Sequence, residues 1–251
     1  MKCILTLLLC MSCLLSFGQT DTPKITFEAD TLFSKMLASI PQEMHQEFTA
    51  EYRKMSIDQR KVMVEFVEMF AAMPSSSKKQ LTQNIDTNYL NILAVKTFFK
   101  KLVPKGYAIY IEFKPPEQIL NRGESIDFWV FRKGKKTGDN DMVFQEWNIE
   151  LNSDRLDTLL NFTTLKRKDL QELKAYLDKA NCISVSNEDE FEIGYARSGM
   201  GKYSYLIFDS PLSKEDQKEY NNGCEYIFYK DNIVLAYGGG AIGPQCFPDR
   251  E

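Results

Sequence analysis

Ser75 and Lys78 form the pair with the shortest route to covalent chemistry. In Ser75-Ser-Ser-Lys78 a hydroxyl and an amine stand about one helical turn apart. An amine held there takes the hydroxyl proton while the oxygen attacks a carbonyl. Histidine chemistry is confined to one residue, because His45 is the only histidine. A Ser-His-Asp or Cys-His arrangement must use it, and a multi-histidine zinc site is excluded. Pro41 and Thr49 occupy the places four residues away, so His45 has no metal-ligating partner on its own helical face. It reads as an exposed or partly packed helix residue beside Met44 and Phe48.

The motifs Ser75-Ser-Ser-Lys78, Tyr89-Leu-Asn91 and Lys136-Thr-Gly138 follow in that order. Together they resemble the signature of penicillin-binding proteins and class C-type serine β-lactamases. The resemblance implies Ser75 as nucleophile and Lys78 as the group that activates it, with Tyr89, Asn91 and Lys136 assisting. The sequence departs from that family in placing Lys136-Thr-Gly138 in a charged, glycine-punctuated loop rather than on a core strand. Its serine run follows Pro74 and also reads as a linker.

Carboxylates cluster twice, as Asp139-Asn-Asp141 with Glu146 and as Glu188-Asp-Glu190 with Glu192. Neither has the spacing or glycine of an EF-hand, and both read first as solvated turns. A glycosidase-type carboxylate pair depends on the fold rather than on spacing. Arg197-Ser-Gly-Met-Gly-Lys202 lacks the glycine and the Ser or Thr of a phosphate loop, since Ala196 and Tyr203 stand there. A turn between two strands is the expectation. Gly238-Gly-Gly240 with Gly243-Pro244 reads as a bend, with an anion-binding nest as the alternative. Met36, Met44, Met55, Met63, Met69 and Met73 read as core filler, with a Cu(I) site or an adaptable groove as alternatives. No cofactor is expected.

The remaining signal is aromatic. Tyr203, Tyr205, Tyr226, Tyr229 and Tyr237 crowd the last strands. They are the candidate binding residues, presenting a tyrosine surface to a protein or glycan if one sheet face is open.

The elements that must position these groups follow from periodicity. Residues 30–103 read as three or four helices. Ser56 and Gln59 form a capping box for one of them, and Asp86 is placed as the cap of a helix from 87 to about 102. Strands are expected over 107–113, 125–132, 143–151, 182–186, 190–196 and 203–208, with helices over 154–160, about 167–179, and a short one opened by Ser213. In 143–151 the odd residues Val143, Gln145, Trp147, Ile149 and Leu151 should share one face. Asp231-Asn232 should turn a hairpin, with Tyr226 opposite Tyr237 and Phe228 opposite Leu235. The predicted fold class is α+β: an N-terminal helical unit, then a mostly antiparallel sheet with a few helices, then a C-terminal β-hairpin. The expected organisation is a signal peptide over 1–18, a helical region over 19–104 and an α+β sheet domain over 105–251.

Residues 1–18 have the positive start, apolar run and small-residue end of a bacterial export signal. A lipobox reading on Cys13 is weaker, because leucine is missing three positions upstream. No later stretch approaches the roughly 18 uninterrupted apolar residues of a membrane span. Three cysteines then remain: Cys182, Cys224 and Cys246. A Cys224–Cys246 bridge is favoured because the hairpin returns the chain, leaving Cys182 as a buried thiol. With 31 basic against 35 acidic residues, the surface is wrong for nucleic acid. The expectation is an exported, periplasmic or secreted, non-catalytic binding protein with a protein or glycan partner in the cell envelope. The alternative is an envelope or extracellular polymer hydrolase using carboxylates or the Ser75/Lys78 pair.

Overall fold

The computed structural model describes residues 33, 45–63, 74–116, 123–135, 139–199, 201–238 and 246–247. Residues 1–18, expected to be an export signal, residues 19–32 and 34–44 of the expected helical region with Met36 and Met44, and Met69, Met73, Lys136-Thr-Gly138 and the bend over 239–244 lie outside them. The chain forms two compact units, Met1–Met73 and Pro74–Glu251.

In the first unit, helix α1 (His45–Lys54) is followed by a second helical stretch from residue 57. Ser56 caps that stretch as the pattern predicts. Its N–H donates to Gln59 Oε1 at 2.8 Å, and the Gln59 N–H donates to Ser56 Oγ at 3.3 Å. Arg60 reaches back to the last carbonyls of α1, those of Tyr52 and Arg53, at 2.9 Å each, satisfying acceptors a helix end leaves open.

The second unit is an eight-stranded antiparallel sheet with helices packed on one face. Its strands are β1 (Tyr107–Lys114), β2 (Ser125–Arg132), β3 (Asp141–Glu150), β4 (Ser184–Ser186), β5 (Glu192–Ser198), β6 (Gly201–Ile207), β7 (Tyr226–Lys230) and β8 (Ile233–Gly238). They lie in the order β3-β2-β1-β4-β5-β6-β8-β7. The helices are α2 (Lys78–Leu102), α3 (Asp154–Leu160), α4 (Arg167–Ala180) and α5 (Lys214–Glu219). The α+β class, the helical N-terminal region and the C-terminal hairpin are therefore as the sequence indicates.

Helix α2 begins nine residues before the expected start. Ser77, the last of the serine run, is its N-cap and accepts the Gln80 N–H at 3.2 Å. Leu81, Ile85, Ile92, Val95 and Phe99 line its buried face. Asp86 lies inside the helix rather than capping it. The local break that suggested a start is real but smaller: Asn88 leaves helical geometry at φ −112, ψ 19, and its side chain donates to Asn84 Oδ1 at 2.9 Å. The stripe of α2 meets Leu170, Leu173 and Leu177 of α4 and Ile109, Ile111, Phe128, Val130, Ile193 and Leu235 of the sheet in one core. Each such side chain, fully buried, contributes roughly 1.5–3 kcal/mol.

Strand β3 departs from simple alternation. Phe131 pairs with Met142, Phe128 with Glu146 and Ile126 with Ile149, so β3 carries one extra residue near Val143 and another near Asn148. Asn148 takes the left-handed conformation at φ 56. Continued from the turn without bulges, the register would set Trp147 opposite Ile126, on the core side. The two extra residues instead set the Trp147-Asn148 pair opposite Asp127 and turn Trp147 away from the core. Phe144, expected outward, packs on the core with Ile149 and Leu151, whereas Trp147 is 55% exposed.

The C-terminal hairpin forms at Asp231-Asn232, with Asp231 at φ 48. Its register differs from expectation. Tyr226 pairs with Ala236, Ile227 with Leu235 and Phe228 with Val234, because a bulge at Tyr229 shifts β7 by one residue. Cys224 and Cys246 are joined by a disulfide, and Cys182 is a buried free thiol. Among the described residues, no helix is long and apolar enough to cross a membrane.

Candidate functional site

Alternation along each strand divides the sheet into a core face and a far face. On β1, Ile109 and Ile111 enter the core, so Tyr110, Glu112 and Lys114 project from the far face. Register carries this assignment across the sheet to Asp127 and Trp129 on β2, Ser184 on β4, Glu192 and Arg197 on β5, and Lys202 and Ser204 on β6.

Of these polar groups Glu112, Asp127, Ser184, Lys202 and Ser204 are buried and Lys114, Glu192 and Arg197 half-buried, and they pair with one another. Glu112, 1% exposed, accepts from Arg197 Nε at 2.7 Å and Nη2 at 2.6 Å, a two-bond fork. The Tyr110 hydroxyl donates to the same carboxylate. Lys202 Nζ lies 3.0 Å from Glu192 Oε1 and 3.1 Å from Ser184 Oγ, and stands 4.7 Å over the Tyr110 ring centre. Ser204 Oγ donates to Glu192 Oε1 at 2.6 Å. Gly194 makes room for this arrangement. A Cβ there would lie 2.0 Å from Ser184 Oγ and 2.8 Å from Lys202 Cδ.

Protonation follows from the pairing. Burial pushes the Glu112 carboxyl up, but the Arg197 hydrogen bonds and the Lys202 charge outweigh it and hold it below the usual range. Glu192 behaves alike: burial raises it, and Lys202 with the Ser204 hydrogen bond brings it below normal. Burial pulls Lys202 down, while Glu192, Tyr110 and Glu112 lift it well above an ordinary lysine. Burial is also the main reason the Tyr110 hydroxyl is raised. At neutral pH both carboxylates are charged, the lysine is charged and the tyrosine is neutral. None of these four is set to exchange a proton.

Beside this network runs an aromatic strip. Tyr110 stacks on Trp129 at 4.3 Å between ring centres, and Trp129 meets Trp147 edge-on at 5.9 Å. These are the chain's two tryptophans. The indole Nε1 of Trp129 is buried without an acceptor among the described residues. Where the strip ends, Asp127 accepts the Asn148 backbone N–H at 2.8 Å and pairs with Lys114 Nζ at 2.7 Å. Lys114 Nζ also donates to Asn148 Oδ1 at 3.1 Å.

The residues singled out from sequence fall elsewhere. Tyr203 and Tyr205 are completely buried. The Tyr205 hydroxyl donates to Leu81 O at 2.8 Å and accepts from Asn84 Nδ2 at 3.0 Å. Tyr237 stacks on Tyr203 at 4.3 Å, Tyr226 meets Tyr220 edge-on at 5.5 Å, and Tyr229 donates to Asp86. Tyr226, Tyr229 and Tyr237 are half-buried. Ser75 lies two residues before the α2 cap, outside the helix, and Lys78 is the first helical residue. The neighbouring Ser76 N–H donates to Ser198 Oγ at 3.2 Å, and Pro74 O accepts from the Gly199 N–H at 2.8 Å, which ties the serine run to the β5–β6 turn. Arg197 to Lys202 is that turn, between two strands as expected. Among the described residues, no group of three or more His, Cys, Asp or Glu is arranged to hold a metal.

Apart from the far face, a cleft of about 550 Å³ opens beside Glu124, Glu150, Arg167, Gln171 and Lys174, floored by Phe113, Leu156 and Leu170. Its cations are engaged. Arg167 binds Asp157 and the carbonyls of Leu151 and Ser153, and Lys174 binds Asp178.

Sequence reading did not single out Glu112, Asp127 or Trp129, placed Trp147 only as one residue of an alternating strand, and read Arg197 and Lys202 as the ends of a turn. The available signal was a lone carboxylate inside each of two apolar strands, Tyr107–Phe113 and Ser125–Phe131. Comparison with protein-family models, with curated proteins and with solved structures finds no match.

Proposed function

We propose that this chain is an exported, periplasmic or secreted, non-catalytic binding protein whose recognition surface is the aromatic end of the far face. The observation that carries this reading is the Tyr110–Trp129–Trp147 strip, buried at one end and half exposed at the other. A binding site gains by holding its contact groups in place before the ligand arrives. The paired charges of Glu112, Arg197, Lys202 and Glu192 act as that support. The partner is a protein or glycan of the cell envelope, in keeping with the export signal and the modest net charge of −4.

The test is co-sedimentation of the purified protein with envelope fractions. Wild type should be retained and Trp147→Ala should not, with both equally folded by circular dichroism. Equal retention of the two proteins contradicts the reading.

A second reading, a polymer hydrolase, is favoured by the cleft, whose lining includes the carboxylates of Glu124 and Glu150. It requires release of soluble fragments from an envelope polymer and loss of that release in Glu124→Gln or Glu150→Gln. Absence of release from the wild type removes it.

A further inference from the structure

Trp147 sits at the border between an apolar platform and a polar cluster, and the chemistry of that border names a ligand class. We propose that Trp147, Trp129 and the Lys114–Asp127–Asn148 cluster form a subsite for a neutral carbohydrate, an inference that rests on the binding reading above. Three observations converge on it. First, an indole face carries negative charge density, and the C–H bonds on one side of a pyranose ring present the complementary positive charge. Trp147, 55% exposed and braced edge-on by Trp129, offers such a face on a fixed mount. Second, hydroxyls of a sugar need donors and acceptors at the rim of the platform. Asp127, 2% exposed, lies opposite Trp147-Asn148 in the sheet and holds the half-buried Lys114 and Asn148 in place, and these two present the polar groups at the rim. Third, Trp129 Nε1 is a buried donor with no acceptor among the described residues. A buried donor left so costs stability, and a ligand hydroxyl admitted by a local shift of the neighbouring rings would satisfy it.

The same observations argue against other ligands. Asp127 and Lys114 neutralise each other, so a strongly charged ligand would meet no net opposite charge. An added β-strand needs a long regular edge. The bulges near Val143 and Asn148 leave only residues 144–146 of β3 regularly paired between them, and bulges of this kind discourage edge pairing. The exposed Met142 and Val143 lie at the far end of that strand from the polar cluster.

The experiment is a titration of the intact protein, read by tryptophan fluorescence. The probes are soluble oligomers of glucose, mannose, xylose and N-acetylglucosamine. At least one should give a saturable change. Trp147→Ala should weaken it tenfold or more, and Trp129→Phe, which keeps a ring but removes the N–H, should weaken it severalfold. Met142→Ala should leave it unchanged. Each variant is checked by its thermal midpoint so that loss of fold is not mistaken for loss of binding. No response to any of the four sugar series overturns the carbohydrate assignment, as does a response that Trp147→Ala leaves intact. Envelope retention that depends on Trp147 without any sugar response overturns this inference alone and leaves the binding face standing.

Discussion

Arg197 of β5 grips both carboxylate oxygens of Glu112 of β1 across the one intervening strand, β4, at 2.7 and 2.6 Å. Glu112 is 1% exposed while the Arg197 side chain keeps 30%. The cost of withdrawing Glu112 from water is offset only while the guanidinium is present. Removing the arginine should therefore strand a buried charge. Arg197→Ala is expected to cost about 3–5 kcal/mol in urea unfolding. Replacing both residues together, Glu112→Leu with Arg197→Leu, should recover a large part of that loss. A loss from Arg197→Ala no larger than that of an exposed pair would show the fork to be dispensable.

Gly194 belongs to the same cluster by what it lacks. An alanine there puts a methyl group 2.0 Å from Ser184 Oγ and 2.8 Å from Lys202 Cδ, and both side chains must move to admit it. Gly194→Ala should lower stability by about 1–3 kcal/mol, the usual range for overpacking, and disturb the Lys202 contacts with it. A thermal midpoint unchanged from wild type would mean the sheet has more slack than its register implies.

Acid sensitivity follows from the carboxylates. Glu112 and Glu192 are held below their ordinary value of 4.5 in the folded protein. Asp209, bonded by Lys100 and then Lys96, is brought down to about 2. A carboxyl lowered in the folded state adds stability above its unfolded value, and that stability disappears as the pH falls through the folded value. The thermal midpoint should hold from neutral pH to about 5 and fall below 4.5. Glu112→Gln should start lower and fall less steeply. A midpoint that rises on acidification would reverse the sign of this account.

The cysteines make an opposed pair of expectations. Cys224–Cys246 closes a loop with a sequence separation of 22, worth about 3 kcal/mol in the chain-entropy model. Cys224→Ser or Cys246→Ser should lose about that much under oxidising conditions and little under reducing ones. Cys182 is buried, and burial is the main reason its thiol is pushed up to about 12. It should react with a thiol reagent only after unfolding. Rapid labelling of the native protein would place that sulfur at the surface.

Much of this architecture is legible in the chain. The strand at Ser125–Arg132, the helix at Asp154–Leu160, the hairpin turn and the bridge each rest on a local cause: a period, a cap, a positive-φ pair or a returning loop. What escaped reading was non-local. Leu81 and Ile85 continue the stripe of α2 upstream, but the serine run read as a linker, although Ser77 starts the helix. The bulges near Val143 and Asn148 leave no mark in the period-two pattern, yet they decide which way Trp147 points. Tyr203 and Tyr205 have the composition of a binding surface and the positions of core residues. Only the strand order, which sets β6 between β5 and β8 over α2, decides between the two.

The central claim is that Trp147 presents a recognition surface and is not a stray exposed side chain. Its most direct test is retention of wild type and Trp147→Ala on envelope fractions, with thermal midpoints measured on the same samples. The account predicts retention of the wild type, at least tenfold weaker retention of the variant, and midpoints that agree. Equal retention at equal stability would contradict it.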